Sequence, residues 1–241
     1  MVYPSPGASR ECILPVPIKI PATKFMRFPT KKTSTQRWVR SLAEALGTSE
    51  MVFPQLRHSA PNLSYGRHKA PAYPRARQAA NLILIYPGEQ GNWTIPLMIR
   101  AETEGIHAGE IALPGGRCEP GESAMHTALR EFHEETGHLV SPDGVLGELP
   151  PTNVWASNHQ VRTFVALQHS LPVWSPDPCE VAGLIFLPLT HLMDSRNFGM
   201  HQVTRRRVQF SALHLNVDGH RVWGATLRML VELGEALTSA K

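Results

Sequence analysis

Residues 115–137 read GGRCEPGESAMHTALREFHEETG. Three carboxylates in this stretch, those of Glu131, Glu134 and Glu135, fall within five positions. A helix over residues 123–136 is predicted, because apolar residues recur at helical spacing and a glycine follows as a C-terminal stop. On such a helix the acids lie at i, i+3 and i+4, on a different face from the apolar stripe formed by Met125, Ala128, Leu129 and Phe132.

The acidic face has two explanations from the residues alone. It is either a solvated surface, on which an Arg130–Glu134 pair contributes roughly 0.2–0.5 kcal/mol, or a site for a divalent cation. The helix dipole disfavours carboxylates in the C-terminal half of a helix, and their mutual repulsion adds to that cost. Mg²⁺ prefers hard oxygen ligands and would remove the conflict. The helix by itself leaves both explanations open.

The spacing around the helix favours the cation. Gly116, five residues, Glu122, seven residues and then REFHEETG over 130–137 resemble the Nudix box, G-x5-E-x7-R-E-U-x-E-E-x-G-U, in which U is apolar. Every fixed Gly, Glu and Arg of that pattern is present, and the one departure is His138 at the final apolar position. On this motif the chain is identified as a member of the Nudix hydrolase superfamily.

The resemblance implies a fold, a reaction and a set of site residues. The fold is α+β, the Nudix fold with a mixed β-sheet between α-helices, and the reaction is hydrolysis of a nucleoside diphosphate linked to another group. Arg130 and Glu122 pair to hold the loop and orient the metal-binding acids. By the family pattern, the ligands of Mg²⁺ or Mn²⁺ are three carboxylates and one backbone carbonyl, those of Glu131, Glu134, Glu135 and Gly115. The chemistry agrees, because metals on clustered carboxylates neutralise pyrophosphate oxyanions and position a water molecule.

The residues before the box resemble one subfamily more closely. Residues 97–116 read LMIRAETEGIHAGEIALPGG, similar to the signature that precedes the box in coenzyme A diphosphatases. This similarity, which covers about residues 75–237, implies that coenzyme A or acyl-CoA is cut to 4′-phosphopantetheine, or its acyl form, and adenosine 3′,5′-bisphosphate. The substrate-binding residues that it implies are Arg100, His107 and Gly109.

Three features near this signature qualify the substrate assignment. Gly105 stands where many members carry a second arginine, which puts a contact to the 3′-phosphate of coenzyme A in doubt. The run of arginines at 205–207 is a substitute cation or, more often for such runs, a solvated loop. His107 either contacts phosphate or hydrogen-bonds its own loop. Glu180 matches a family acid outside the box and is a general base or extra ligand; without the resemblance it would be a surface acid at a strand edge.

Composition bounds the setting of the protein. The chain has 241 residues, of which 42% are hydrophobic and 18% charged, as in ordinary globular proteins. No apolar run approaches the roughly 18 residues needed to cross a bilayer, so no membrane partner is expected. Three cysteines, an odd number without C-x-x-C spacing, indicate a reducing compartment, and a cytoplasmic location is predicted. Cys118 falls at a variable position of the box and is interpreted as incidental.

The chain divides into two parts. Residues 1–74 are predicted to be a basic, proline-rich extension with one short helix at 35–46, and residues 75–241 are predicted to be the Nudix hydrolase domain. Later helices are predicted at about 188–193 and 222–237, the last with Trp223 in its core. Strands are predicted at 81–86, 94–100, 110–113, 145–149, 160–168, 184–187 and 208–217.

The leading function is therefore a metal-dependent coenzyme A diphosphatase. The alternative is a Nudix pyrophosphatase that acts on ADP-ribose, NADH or another nucleoside diphosphate derivative. A non-catalytic ligand sensor ranks below both, because such proteins are expected to lose box acids and none is lost here. The net charge of +4 raises nucleic acid as a partner, but no array of aromatic and basic residues supports it. The predicted partner is a coenzyme A-like nucleotide, and a second copy of the chain remains an open option.

Overall fold

The computed structural model describes residues 28, 32–46, 75–88, 91–101, 109–154, 157–205 and 208–240. The helices in these residues are α1 (Lys32–Leu46), α2 (Ala124–Thr136), α3 (Leu189–Leu192) and α4 (Gly224–Ser239). The strands are β1 (Arg77–Pro87), β2 (Trp93–Arg100), β3 (Ile111–Ala112), β4 (Gly115–Arg117), β5 (Val145–Glu148), β6 (Thr152–Val154), β7 (His159–Leu167), β8 (Val181–Pro188), β9 (Phe198–Arg205), β10 (Val208–Val217) and β11 (His220–Trp223). None of the described helices is both long and apolar enough to span a membrane.

Strand β1 lies at the centre of the larger sheet. It pairs in parallel with β7 and antiparallel with β2 and β4. Strands β3 and β8 pair with β2, and strands β5 and β6 pair with β7, all antiparallel. A smaller antiparallel sheet has the order β11-β10-β9. The larger sheet is thus mixed, and the predicted α+β class is confirmed.

Alternating residues of β1 supply the cores on the two faces of this sheet. Leu82 and Leu84 pack with Phe132 and other apolar residues of α2 on one face. Ile83 and Ile85 point to the other face, where α1 and α4 contribute the apolar cover. The period of two in a strand produces this division, because successive side chains point to opposite faces. The sheet therefore lies between helices, as the resemblance implied.

Helix α1 belongs to the larger of these cores. Its buried apolar side chains are Trp38, Leu42, Ala45 and Leu46, and the Trp38 ring centroid lies 5.5 Å from that of Trp93. The predicted helix at 35–46 is confirmed, with its start three residues earlier. The division of the chain at residue 75 remains a prediction, and α1, which it places in the extension, packs against α4 and β5 of the folded unit.

Four strands were absent from the sequence-based predictions, namely β4, β6, β9 and β11. Strand β4 is Gly-Gly-Arg and β6 has three residues, so neither carries a readable alternation of apolar side chains. Trp223 was wrongly predicted in the last helix; it ends β11 and is half-buried. Met125 was wrongly included in the apolar stripe, because it lies in the first turn of α2 and is 39% exposed.

Candidate active site

The C-terminal end of α2 is fixed by the loop that follows β7. Gly137 ends the helix in the left-handed conformation, with φ of 73°, and a Cβ there would lie 2.4 Å from the Ser175 carbonyl oxygen. The loop also supplies hydrogen-bond donors to the helix end: Ser175 N donates to Thr136 O at 2.9 Å, and Asp177 N donates to Glu135 O at 3.3 Å. These contacts satisfy terminal carbonyls and hold the loop against the helix end. Glu180, three residues after Asp177, therefore lies near enough for its charge to act on Glu131 and Glu135.

The predicted pair of Glu122 and Arg130 is present. Arg130 Nε donates to Glu122 Oε1 at 2.9 Å and Nη2 donates to Oε2 at 3.1 Å. Glu122 Oε2 also accepts from Thr127 Oγ1 at 2.7 Å and from Glu119 N at 3.1 Å. The Arg130 guanidinium, followed by these donors, holds the pKa of Glu122 far below its ordinary value. This ionised carboxylate therefore fastens the loop before α2 to the middle of the helix.

Arg130 also contacts two of the predicted metal-binding acids. Its Nη1 lies 3.0 Å from Glu131 Oε1 and 2.7 Å from Glu134 Oε2. The Glu134 side chain is 53% exposed, so it faces solvent and Arg130. Glu122 is the main cause of the raised pKa of Arg130. One guanidinium thus orients three carboxylates of the motif.

Glu135 is the buried acid of the cluster, at 3% exposure. Its Oε2 accepts a hydrogen bond from Gly115 N at 2.6 Å. Burial raises the pKa of Glu135 to about 8; Gly115 N–H and Arg100 oppose the rise, whereas Glu131 and Glu180 add to it. A buried carboxyl with like charges nearby favours the protonated form until a cation neutralises it.

Glu131 lies against the second glycine of the motif. A Cβ on Gly116 would come within 2.3 Å of the Glu131 carboxylate, so any side chain at 116 would displace this acid. Burial raises the pKa of Glu131, Arg130 lowers it, and Glu134 and Glu180 raise it. The glycines of β4 therefore give two carboxylates of α2 close access to the backbone of the loop.

The structure brings most of the sequence-predicted site residues together and leaves some apart. Around Gly115 and Gly116 lie four charged groups that interact electrostatically, namely Glu131, Glu135, Glu180 and Arg100. Glu180 O accepts from Ala101 N at 2.9 Å, which joins its backbone to the end of β2. Gly109 is exposed and donates through its N–H to Arg100 O at 3.1 Å. His107 and Gly105 lie outside the described residues.

The donor set suits a divalent cation, although its carboxylates do not converge. Among the described residues, no group of three or more His, Cys, Asp and Glu side chains is arranged to hold a metal ion. The Glu134 carboxylate is held by Arg130 on the exposed side of α2. Glu131, Glu135 and the Gly115 carbonyl nevertheless offer hard oxygen donors, and glycine at 116 lets the Glu131 carboxylate lie against the backbone of β4. These residues fit Mg²⁺ or Mn²⁺.

A cleft of about 260 Å³ opens beside this cluster, between β1, β4, β7 and the first turns of α4. Arg100 lines it together with both glycines of β4. The sequence predictions missed Asn81 of β1, a buried polar residue that also lines the cleft. Asn81 falls inside an apolar strand pattern, where a single polar residue carries no signal of its own.

Comparison with known proteins identifies the family. A model of the NUDIX domain matches residues 76–207, more than half of the chain. The chain belongs to the Nudix family. An uncharacterised Nudix hydrolase, NudL of Yersinia pestis (strain Pestoides F), is 29% identical over 163 residues, which cover 67% of this chain and 80% of the relative.

Solved Nudix structures are more distant. A MutT/nudix family protein from Enterococcus faecalis is 13% identical, with a TM-score of 0.47, over 88% of this chain and 80% of that one. The NUDIX domain of Shewanella oneidensis NrtR, crystallised with ADP ribose, is 18% identical, with a TM-score of 0.41, over 54% and 84% of the two chains. The family match makes this chain a Nudix hydrolase with the α+β Nudix fold.

The one departure from the Nudix box has a structural explanation. His138 takes the final apolar position, and its ring centroid lies 5.5 Å from that of Trp174, edge to face. Its Nε2 is 2.9 Å from Gln168 Oε1. Trp174 also packs on Phe132 and Tyr86, so the loop after β7 provides an aromatic wall for this residue. A ring with a polar partner thus replaces the aliphatic side chain of the pattern.

Proposed function

We propose that this Nudix hydrolase cuts the diphosphate of coenzyme A or acyl-CoA in a metal-dependent reaction. The products are 4′-phosphopantetheine, or its acyl form, and adenosine 3′,5′-bisphosphate. The observation that carries the proposal is the position of Arg100, the arginine of the coenzyme A diphosphatase-like signature. It lines the cleft and lies close enough to Glu135 to lower that acid's pKa. An arginine there is placed to bind a phosphate group while the box acids act on the adjoining anhydride.

The box residues have separate roles in the proposed reaction. Glu131, Glu135 and the Gly115 carbonyl would hold Mg²⁺ or Mn²⁺, with Glu134 joining them if it leaves Arg130. When bound, such ions neutralise phosphate oxygens and lower the pKa of a coordinated water molecule. Arg130 and Glu122 keep the acids oriented through the hydrogen bonds between α2 and its preceding loop. His107 and Gly109, both from the signature that precedes the box in the sequence, are proposed to contact the substrate.

Glu180 is proposed as the general base or an additional metal ligand. Its side chain is exposed, and its charge acts on both Glu131 and Glu135. An exposed carboxylate beside buried acids can accept a proton from an attacking water molecule and release it to solvent. The loop after β7, which donates hydrogen bonds to the C-terminal end of α2, carries this residue. Glu180→Gln separates the two roles: a lost base lowers kcat at every metal concentration, whereas a lost ligand raises the metal concentration needed for half-maximal rate.

The setting and partners complete the proposal. The substrate is a small nucleotide, the location is the cytoplasm, and a homodimer remains an option. The alternative substrates are ADP-ribose and NADH. They are retained because Gly105 stands where many family members carry a second arginine, so the signature here has one cation fewer for the 3′-phosphate of coenzyme A.

A substrate comparison tests the proposal. The purified full chain, with Mg²⁺ or Mn²⁺, receives coenzyme A, dephospho-CoA, ADP-ribose and NADH separately, and kcat/KM and products are determined. We expect coenzyme A to be cut at its diphosphate with weak preference over dephospho-CoA, which lacks the 3′-phosphate. A tenfold advantage of ADP-ribose or NADH, about 1.4 kcal/mol of transition-state preference, would overturn the coenzyme A assignment in favour of the alternative.

A further inference from the structure

The cleft beside the box glycines has an apolar part in its wall, and one buried amide lies there. Val161, Leu113 and Met229 contribute apolar surface to its lining, and Asn81 contributes the amide. Small-molecule sites commonly combine apolar walls with a few polar groups that fix orientation. Arg100, Arg117 and His159 also line the cleft, so it combines basic side chains with apolar surface and the Asn81 amide.

Asn81 is the β1 residue next to Gly115, whose carbonyl is proposed to bind the metal. It pairs with Gly115 across β1 and β4, and a Cβ on Gly115 would lie 2.4 Å from the Asn81 Cβ. On its other side Asn81 pairs with Thr163 of β7. Both side chains point away from α2, towards the face that α4 covers. Asn81 and Gly115 therefore line the same cleft side by side.

The Asn81 amide lacks strong hydrogen-bond partners. Its side chain is 8% exposed; Nδ2 donates to Met229 Sδ at 3.2 Å, and Oδ1 has no hydrogen-bond partner within the described part of the chain. A thioether is a weak acceptor, and a buried amide without full partners destabilises the fold. Buried side-chain amides in native proteins are normally satisfied, so this one calls for a ligand.

We propose that Asn81 is a specificity-determining residue that recognises the adenine base of an adenosine diphosphate substrate. This inference rests on the proposed function, since it assumes that the diphosphate binds beside Gly115. The amide offers an acceptor and a donor side by side. Adenine presents the complementary pair at N6 and N7, the arrangement that asparagine reads in nucleic acids.

The surroundings of Asn81 suit a purine. Met229 is flexible and polarisable, so it can leave the amide and pack its sulfur against an aromatic ring. Val161 and Leu113 supply the apolar surface that a base requires. Hypoxanthine tests the hydrogen bonding without changing this packing, because it carries an oxygen in place of the N6 amino group.

The experiment compares binding of ADP and inosine 5′-diphosphate to the full chain with Mg²⁺, measured by calorimetry. Wild type is expected to bind ADP at least about fivefold more tightly, the low end of discrimination by a bidentate amide. Asn81→Ala should bring the two affinities within about twofold of each other. Thr163→Val is the matched control: this neighbour is also fully buried with an unpartnered hydroxyl among the described residues, but it does not line the cleft. Its ratio should equal that of wild type.

The outcomes separate this inference from the function on which it rests. Equal affinities in wild type, or an unchanged ratio in Asn81→Ala, would overturn the role of Asn81 even if coenzyme A is hydrolysed. An unchanged ratio together with lost coenzyme A turnover would place Asn81 against the pantetheine arm, which also overturns the inference. Preference for ADP that depends on Asn81, without turnover of coenzyme A, would support it and count against the proposed function. The wild-type measurement stands even if Asn81→Ala does not fold.

Discussion

Glu122 and Glu135 belong to one motif, but their surroundings shift their pKa values in opposite directions. Glu122 accepts hydrogen bonds from Arg130, Thr127 and a backbone N–H, and its pKa is lowered. Glu135 is buried, with one N–H donor from Gly115, and its pKa is raised to about 8. Carboxyl groups whose environments separate their pKa values usually have different tasks.

The difference shows which acid stabilises the fold without a ligand. The charge and hydrogen bonds of the Glu122 carboxylate are satisfied within the protein. Arg130 balances its charge, and its hydrogen-bond partners are Arg130, Thr127, His126 and the Glu119 N–H. Glu135 and Glu131 are incomplete, since burial disfavours their ionised form and Glu180 adds a like charge. A cation would reverse that penalty. The motif therefore contains a structural ion pair, Glu122 with Arg130, and two acids, Glu131 and Glu135, whose ionised forms are disfavoured without a cation.

The largest expected effect comes from replacing Glu135 or Glu131 by an uncharged residue. Glu135→Gln and Glu131→Gln should each lower kcat at least about thousandfold at saturating Mg²⁺, because each removes a predicted metal ligand from the site of charge stabilisation. The fold should persist, since neither change removes apolar core. Steady-state kinetics and far-UV circular dichroism measure the two expectations.

Glu119→Gln is the matched control for these variants. Glu119 is an exposed acid in the same loop, and only its backbone N–H contacts Glu122. Its substitution should leave kcat within about twofold of wild type. Near-wild-type turnover of both Glu135→Gln and Glu131→Gln would remove them from the metal site.

The second prediction concerns the stability of the metal-free protein. Glu135 has a folded-state pKa of about 8, above the unfolded value of 4.5, so the folded state binds more protons between these values. Its stability should therefore fall as pH rises through that window. Glu135→Gln should remove this fall and be more stable than wild type by about 2–4 kcal/mol at pH 8. Urea unfolding in EDTA at pH 5 and pH 8 provides the measurement; parallel pH profiles would contradict the expectation.

The third prediction concerns Glu122, which should make stability fall towards low pH, whereas Glu135 makes it fall towards high pH. Glu122 has a lowered folded pKa, so its contribution to stability is present above the unfolded value of 4.5 and is lost as pH falls through the folded pKa. Glu122→Gln should destabilise the protein by about 2 kcal/mol at pH 7, because it breaks a charged, hydrogen-bonded pair with Arg130. The same urea series, extended from pH 7 to pH 3, should show the variant and wild type converging at acid pH. A constant difference would contradict the assignment.

Sequence reasoning could find the motif and most elements, because both depend on local spacing. The helix over 123–136 and its terminal glycine follow from residue order within α2, whereas the pair of Glu122 and Arg130 was implied by the resemblance to the Nudix box. The strands with clear apolar runs, such as β1, β7 and β10, were also predicted and are confirmed, within a few residues at their ends.

The rest depended on contacts between distant segments. Strand β4 exists because Gly115 and Gly116 pair with β1, which no periodicity in Gly-Gly-Arg indicates. The unequal exposure of Glu134 and Glu135 depends on how α2 packs over β4, although the Nudix box fixes a glutamate at both positions. Asn81 acquires its position from pairing with β4 and β7 and from packing by Met229 of α4, about 150 residues away along the chain. Tertiary packing set these features.

The smallest expected effect concerns Glu134, which is neither held in a network of hydrogen bonds like Glu122 nor buried like Glu135. Its contact with Arg130 is an exposed i,i+4 pair, and such pairs contribute about 0.5 kcal/mol or less, so Glu134→Gln should change the stability of the metal-free protein by no more than that. If Glu134 exchanges Arg130 for a cation, the same substitution should weaken Mn²⁺ binding several-fold. Calorimetric Mn²⁺ titration of wild type and variant separates these effects. Unchanged Mn²⁺ affinity would leave Glu134 as a surface partner of Arg130 and reduce the protein ligands of the site to Glu131, Glu135, Gly115 and, if it coordinates, Glu180.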